Sequence, residues 1–505
     1  MPPTSPSDDP RHTFAISDIH LSDAQVVDPA RPLWKRFKGR DLFIDDSLAR
    51  CLAHLRELAG AGEPIELVLN GDIFDFDSVM ALPRSRAFPV NWLERLRGLD
   101  AEQDKSVFKI QVILGDHPAF VTALREFLND GHQVAFVIGN HDMELHWPEV
   151  QAEIRRALDL TTGAGERLRF CEWFTLSGGD TLLEHGNQYD SYCAATDPVH
   201  PRIRWRGIER MRLPFGNLAG KLMLNGMGLF NPHVESSFIR SLPEYAVFFW
   251  RYMLRIQPLL PWTWFWTALL TLVITVREGL APTVRDPFSL DEQVEGIALR
   301  ARATPRLVRA LPALRVRPAY YNPLSIAREL WLDRALLLAL VLFGTFQLFS
   351  ILNVFVTMPI WWWLVFFVLL LPLFILYARG VHSDVDNYER GLRRLLPEVA
   401  RLAGVTRLVM GHTHKEKHTE IEGVELLNSG TWSPAYHDVE CTRPFGRTCF
   451  VWLHPQGEGS GRVAELRQWQ DPGSQVIPRD TKGAQRPSPI VEKFARITDK
   501  FKRVE

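Results

Sequence analysis

Val134-Ala135-Phe136-Val137-Ile138-Gly139-Asn140-His141-Asp142 is an unbroken apolar strand that stops at a glycine and then presents an amide, an imidazole and a carboxylate. An apolar run of that length between Asn129-Asp130-Gly131 and Gly139 reads as a strand buried on both faces of a parallel sheet. Ala119 to Leu128, just before it, has helical spacing. Further upstream, Asp45 to Ala59 places Leu48, Cys51, Leu52, Leu55 and Leu58 on one helical face, between strand candidates at Thr13 to Ser17 and Ile65 to Leu69. This β-α-β alternation predicts an α/β fold, which collects ligands beyond the carboxyl ends of its strands. The expected strands end in polar blocks: Asp18-x-His20, Gly71-Asp72, and Gly139-Asn140-His141-Asp142. Two later strands do the same. Thr181 to Glu184 runs into His185-Gly186, and Arg407 to Met410, after a helically spaced Tyr388 to Leu402, runs into Gly411-His412-Thr413-His414.

Phosphoester cleavage at neutral pH needs a nucleophile stronger than water and neutralised charge on the nonbridging oxygens. Two divalent ions about 3.5–4 Å apart supply both, holding a hydroxide between them and clamping the phosphoryl group. A bridging carboxylate is the natural way to hold two cations that close, and Asp72, behind the tight turn that Gly71 permits, is the candidate. Gly115-Asp116 and Gly179-Asp180 repeat the dipeptide, but Asp72 follows a strand and lies between the first and third blocks. Asp18 and His20 can chelate one ion from an extended segment, and His412 and His414 repeat that spacing. Asn140 and His185 offer an amide oxygen and an imidazole to the second ion. His141 is read as a proton donor to the leaving oxygen or a hydrogen-bond donor to the phosphoryl group, with Asp142 as its orienting partner. Mn, Zn, Fe and Ni all accept such nitrogen and oxygen ligands, with Mn the first expectation.

A formal net charge of −1 demands neither nucleic acid nor an anionic surface as partner. Cys51, Cys171, Cys193, Cys441 and Cys449 form no C-x-x-C pair, which suits a reducing compartment. The first twelve residues contain two acids and no apolar run, so no export signal is expected there. Residues 199 to 213 gather Arg202, Arg204, Arg206, Arg210 and Arg212, readable as a solvated charged helix or loop or as a phosphate or headgroup contact.

From Ala335 to Ala378, 44 consecutive residues include no Asp, Glu, Lys, Arg or His. As helix this is roughly 66 Å at ~1.5 Å per residue, against about 30 Å of hydrocarbon, so two crossings fit. Thr357-Met358-Pro359 supplies the turn, Trp361-Trp362-Trp363 an interfacial belt, and Arg334 and Arg379 the two ends. His185 and His412 must reach the same ions, so the chain crosses an even number of times between them. A third apolar run at 258–276 is therefore read as an interfacial or re-entrant helix. The expected organisation is a first catalytic part at 1–240, a helical membrane-associated insertion at 241–380, a second catalytic part at 381–455 and a loosely ordered polar tail at 456–505.

These blocks resemble the signature of the calcineurin-like metallophosphoesterases: D-x-H, G-D, G-N-H-[DE], H and G-H-x-H. The resemblance implies a two-sheet αββα sandwich with a large helical insertion. It also implies two metal ions, one held by Asp18, His20, Asp72 and His414 and the other by Asp72, Asn140, His185 and His412. Gly71-Asp72-Ile73-Phe74-Asp75-Phe76-Asp77 lacks the arginine of the protein Ser/Thr phosphatases, and Asp75 stands where purple acid phosphatases carry tyrosine. Ser17 to Ser22 and Gly71 to Asp75 are similar to bacterial UDP-2,3-diacylglucosamine pyrophosphatases, although those enzymes commonly have arginine at the position of His141 and a far smaller insert. A membrane-attached hydrolase is thus expected, acting on a phosphorylated or lipid-diphosphate substrate, at the inner membrane with its catalytic domain in the cytoplasm and no nucleic-acid partner. A nucleotide phosphodiesterase or nuclease is the alternative enzyme, and a non-catalytic metal-binding scaffold the remaining reading.

Overall fold

The structure is a computed structural model that describes residues 10–480 except 61, 86, 162, 230, 232, 234–248, 255–256, 286–289, 381–387, 445 and 457–460. The boundaries expected at 240–241 and 380–381, and the tail from 481 onward, lie outside the described residues.

The strands are β1 (His12–Ile16), β2 (Ile65–Asn70), β3 (Gln133–Val137), β4 (Leu168–Cys171), β5 (Phe174–Ser177), β6 (Thr181–Glu184), β7 (Arg202–Trp205) and β8 (Ile208–Met211). They continue after the helical region as β9 (Arg407–Met410), β10 (Glu416–Ile421), β11 (Val424–Ser429), β12 (Cys449–Pro455), β13 (Arg462–Gln470) and β14 (Gly473–Ile477). One sheet has the order β14-β13-β12-β1-β2-β3-β4, and the second β10-β11-β9-β6-β5. β1 to β4 pair in parallel, whereas β12 returns antiparallel beside β1. Ala15, Val68, Ala135 and Val137 of the first sheet meet Leu183, Val409 and Leu427 of the second in one buried cluster, so the sheets pack face to face. Helices cover both outer faces. Asp45–Ala59, Gln103–Asp116 and Pro118–Asn129 close over the first sheet, and Tyr388–Ala403 closes over the second with Leu392, Leu396 and Val399.

Two expectations about organisation need correction. The chain beyond Pro455 is not simply a polar tail, because Arg462–Gln470 and Gly473–Ile477 extend the first sheet by two strands. Only Ala464, Leu466 and Trp469 of β13 are buried, so its apolar alternation is thin and the polar residues between them hide the pattern. Part of the expected insertion at 241–380 packs on the catalytic part. Helices Leu290–Arg300 and Pro305–Ala310 bury Val294, Ile297, Leu307 and Val308 against Leu408 and Leu426 of the second sheet. Residues 202–211 form a hairpin rather than a helix or loop, turning through Arg206 and Gly207, both at positive φ. Arg202 and Arg204 face Glu209, and Arg210 lies 3.6 Å from Asp100 and 3.3 Å from Glu278.

Helix Leu260–Leu280 lies along the catalytic part. Ala268, Thr271 and Thr275 are fully buried, while Trp262, Trp266, Leu269 and Val273 are exposed on its other face. Helices Leu332–Phe355 and Trp362–Gly380 follow. They run antiparallel, because Tyr377 donates a hydrogen bond to Asp333 (2.8 Å) and Trp363 Nε1 one to Thr345 Oγ1 (3.0 Å).

Candidate metal centre

The five blocks meet where strands of the two sheets end. Backbone hydrogen bonds lock them together: Asp18 N–H donates to Gly71 O (3.0 Å), His20 N–H to Asp72 O (3.0 Å), and Gly411 N–H to His185 O (2.9 Å). The Asp18 carboxylate accepts the His412 N–H at 3.1 Å, which joins the first block to the last. Asp18, His20, Asp72, His412 and His414 all adopt positive φ, between 54° and 68°. Such left-handed backbone at non-glycine residues costs on the order of 1–3 kcal/mol each and gathers at functional sites. Gly71 has φ +84°, and a Cβ there would overlap the His185 ring, so the turn into Asp72 admits no side chain.

Seven side chains expected from the sequence to hold metal converge here. Asp18, His20 and Asp72 can bring ligand atoms within 4.8 Å of one another, and so can Asp72, His185 and His412, so the two groups share Asp72. His20 Nε2 lies 3.1 Å from His414 Nε2, which is itself 3.2 Å from Asp18 Oδ1. His185 Nε2 is 3.0 Å from Asp72 Oδ2, and its Nδ1 is 3.1 Å from Asn70 O. Asn140 stands beside His141, whose N–H donates to Asp72 Oδ1 (2.8 Å). Asn217 accepts a hydrogen bond from Asn140 Nδ2 (3.3 Å) and donates one to the Asn140 main-chain oxygen (2.9 Å). This leaves Asn140 Oδ1 buried with no hydrogen-bond partner. A buried acceptor without a donor is costly, and a cation would satisfy it. The donor set thus fits divalent metal: carboxylates, an amide oxygen and imidazoles, with converging nitrogens that only a proton or a cation could hold together.

Neither alternative Gly-Asp pair enters the centre. Asp116 accepts from Ala24 N–H (2.8 Å) and pairs with Arg40, and Asp180 pairs with Arg462 in the turn between β5 and β6.

Asp142 does not orient His141. Its carboxylate turns away and accepts the N–H groups of Ile73 (2.9 Å) and Gly139 (2.5 Å), tying the second block to the third. Burial, reinforced by the Asp72 charge, pushes it up to about 7. Adjacent residues after a strand project in different directions, so sequence neighbourhood did not mean contact. His141 Nδ1 instead lies 3.4 Å from Asp75 Oδ1 and 3.3 Å from Asp77 Oδ2. Burial opposes its protonation, but Asp72, Asp75 and Asp77 outweigh it and hold the imidazole well above its ordinary value. These carboxylates favour the protonated ring, which is suited to donating to a phosphoryl or leaving-group oxygen.

Four more residues join the site unannounced. Asp75 and Asp77 stand in the quoted Gly71 to Asp77 segment, and their x-spaced carboxylates after a strand repeat the Asp18-x-His20 pattern that could have found them. Asp190 Oδ2 lies 3.0 Å from His412 Nε2, and His233 Nε2 lies 3.2 Å from Asp75 Oδ2. Nothing in the local sequence marks either of these two.

Residues 12–226 match the family model for Calcineurin-like phosphoesterase. The chain carries a calcineurin-like phosphoesterase domain. No curated protein matches the chain. The domain is that of a phosphoester hydrolase, and its candidate ligand clusters support metal dependence. The matched segment of the phosphoesterase domain contains Asp18, His20, Asp72, Asn140 and His185. His412 and His414 lie beyond it, and β9 brings them to the same strand ends.

Proposed function

We propose that this protein is a membrane-attached dinuclear metallophosphoesterase that hydrolyses a membrane-proximal or lipid-linked phosphate or diphosphate. The observation that carries the dinuclear reading is that two clusters of candidate ligands share the single carboxylate of Asp72. Asp18, His20, Asp72 and His414 would hold one ion, and Asp72, Asn140, His185 and His412 the other. When bound, such ions supply a strong nucleophile at neutral pH and offset charge on the phosphoryl oxygens.

The chain's own residues supply the rest. Asn217 fixes the Asn140 amide and leaves its oxygen without another partner, available as a ligand. Asp75 and Asp77 hold His141 protonated where it can give a proton or hydrogen bond to the departing oxygen. Asp190 holds one ring nitrogen of His412, leaving the other for the second ligand cluster.

Membrane attachment is supported by what the antiparallel helix pair leaves uncovered. Leu332–Phe355 is long and apolar enough to cross a bilayer and only 11% of its most apolar stretch is buried. Phe343, Val354, Phe355, Leu369 and Leu376 are each at least 60% exposed. A monomeric soluble surface rarely shows so large an apolar patch. The exposed Trp262, Trp266, Leu269 and Val273 of Leu260–Leu280 provide a second apolar strip, suited to lying in the interface. Both ends of the helix pair return to the catalytic part, which suits a hairpin with the phosphoesterase on one side of the inner membrane, in the cytoplasm.

The test is an assay of purified protein with Mn²⁺ on a phosphomonoester, a phosphodiester and a lipid diphosphate. Turnover of the lipid diphosphate above the soluble esters supports the reading. Preference for a nucleotide diester that persists when residues 335–378 are replaced by a short linker would move it to a nucleotide phosphodiesterase. Asp72→Ala is expected to abolish whichever activity is found, and retained turnover would reject the shared carboxylate.

A further inference from the structure

We propose that His233 is a positioning residue for one half of the metal centre, holding the His20 and His414 pair in ligating geometry while leaving the Asn140, His185 and His412 group untouched. The inference rests on the dinuclear reading above. Its basis is the set of contacts that converge on this one residue. The His233 carbonyl accepts a hydrogen bond from His414 Nδ1 at 3.1 Å. That bond fixes the tautomer and leaves His414 Nε2 as the free nitrogen, the atom that faces Asp18 and His20. The His233 ring lies against the His20 ring with centroids 3.9 Å apart, so His20 cannot swing away from His414 on that side. The Nε2 of His233 reaches Asp75 Oδ2 at 3.2 Å, the carboxyl group whose other oxygen faces His141.

The residue is itself held. Its N–H donates to Asn231 Oδ1 (3.0 Å), and Asn231 Nδ2 donates to Pro434 O (3.2 Å). Asn231 thus pins the His233 turn to the loop after β11, whose Trp432 and Ser433 N–H groups both donate to Asp18 O. The second ligand group has separate supports: Asn217 for Asn140, Asn70 for His185, and Asp190 for His412. Distinct outer supports therefore serve the two ligand sets, which share Asp72 and are joined by the Asp18 carboxylate accepting the His412 N–H. This asymmetry gives the prediction, because loss of an outer support of a metal ligand typically costs about 10–100-fold in affinity.

The experiment is Mn²⁺ binding by the full chain in detergent, followed by titration calorimetry and by electron paramagnetic resonance, for the wild type, His233→Ala and Asn231→Ala. The wild type is expected to bind two ions with a spin-coupled signal at saturation. Each variant is expected to keep one site at wild-type affinity and to weaken the other about 10–100-fold, so that substoichiometric-to-equimolar Mn²⁺ gives an uncoupled mononuclear signal. Asn231→Ala frees the turn without removing the ring, and guards against His233→Ala failing to fold. Unchanged affinity at both sites, or equal weakening of both, in a variant whose metal-free melting temperature matches wild type would overturn the role of His233 and leave the dinuclear reading standing. Fewer than two ions on the wild type would instead overturn the dinuclear reading, and this inference with it.

Discussion

The Nε2 atoms of His20 and His414 lie 3.1 Å apart although 394 residues separate them in the chain. Two imidazole nitrogens that close need a shared proton or cation between them, and Asp18 Oδ1 at 3.2 Å from His414 supplies the compensating charge for a cation. Metal should therefore stabilise the fold. At free metal 100-fold above Kd, the native state gains about 2.7 kcal/mol, or about 5–10 °C in melting temperature for a domain of this size. Differential scanning fluorimetry with Mn²⁺ and then with excess chelator checks this, and identical melting temperatures would count against metal at this position.

Metal uptake should depend on pH through His185. Burial alone would lower this histidine, but the Asp72 and Asp18 carboxylates outweigh it and hold the metal-free imidazole at about 9. Below that pH the ring carries a proton that a cation must displace. Apparent affinity is therefore expected to rise with pH and to level off above about 9, with protons released on binding at neutral pH. Titration calorimetry in buffers of different ionisation enthalpy measures the release, and heats independent of buffer would contradict it.

Asp142 and Asp75 should fail in different ways when each is changed to asparagine. Asp142→Asn sets an amide N–H₂ against the N–H of either Ile73 or Gly139, and the expected loss is about 1–3 kcal/mol of stability by chemical denaturation. Asp75→Asn removes the charge that holds His141 and should lower kcat by about 10²–10⁴-fold with a smaller stability change. Equal catalytic losses with no stability difference would return Asp142 to the catalytic role that its sequence position suggested.

The exposed helix pair predicts that the full chain stays with the membrane pellet after alkaline carbonate extraction. Replacing Phe343 and Leu369, both on uncovered faces, by lysine should release it or block insertion, since each lysine near the bilayer centre costs about 2.5–3.5 kcal/mol. Recovery of the unaltered chain in the carbonate supernatant would leave the apolar faces to be covered by something other than lipid.

The strands that carry the centre were legible because each is a largely apolar run ending in glycine or a polar block, most clearly at Val134 to Gly139. A parallel sheet buried on both faces leaves that mark on a single sequence. β13 left almost none, since Arg462, Glu465 and Arg467 interrupt a strand with only a few buried apolar positions. Helices Leu290–Arg300 and Pro305–Ala310 fall inside the insertion expected at 241–380, and their short apolar faces, Val294 and Ile297 on one and Leu307 and Val308 on the other, do not reveal that they meet the second sheet. The candidate ligands were visible as spaced blocks, whereas their supports were not. Asn217, Asp190 and His233 act only through distant partners, and no spacing rule links Asn217 to Asn140 or His233 to His414.

The most direct test of a centre built from both ends of the chain is anomalous diffraction at the manganese edge from crystals grown with Mn²⁺. Two peaks are expected, one among Asp18, His20, Asp72 and His414 and one among Asp72, Asn140, His185 and His412. A single peak, or any arrangement in which His412 and His414 ligate nothing, would contradict it.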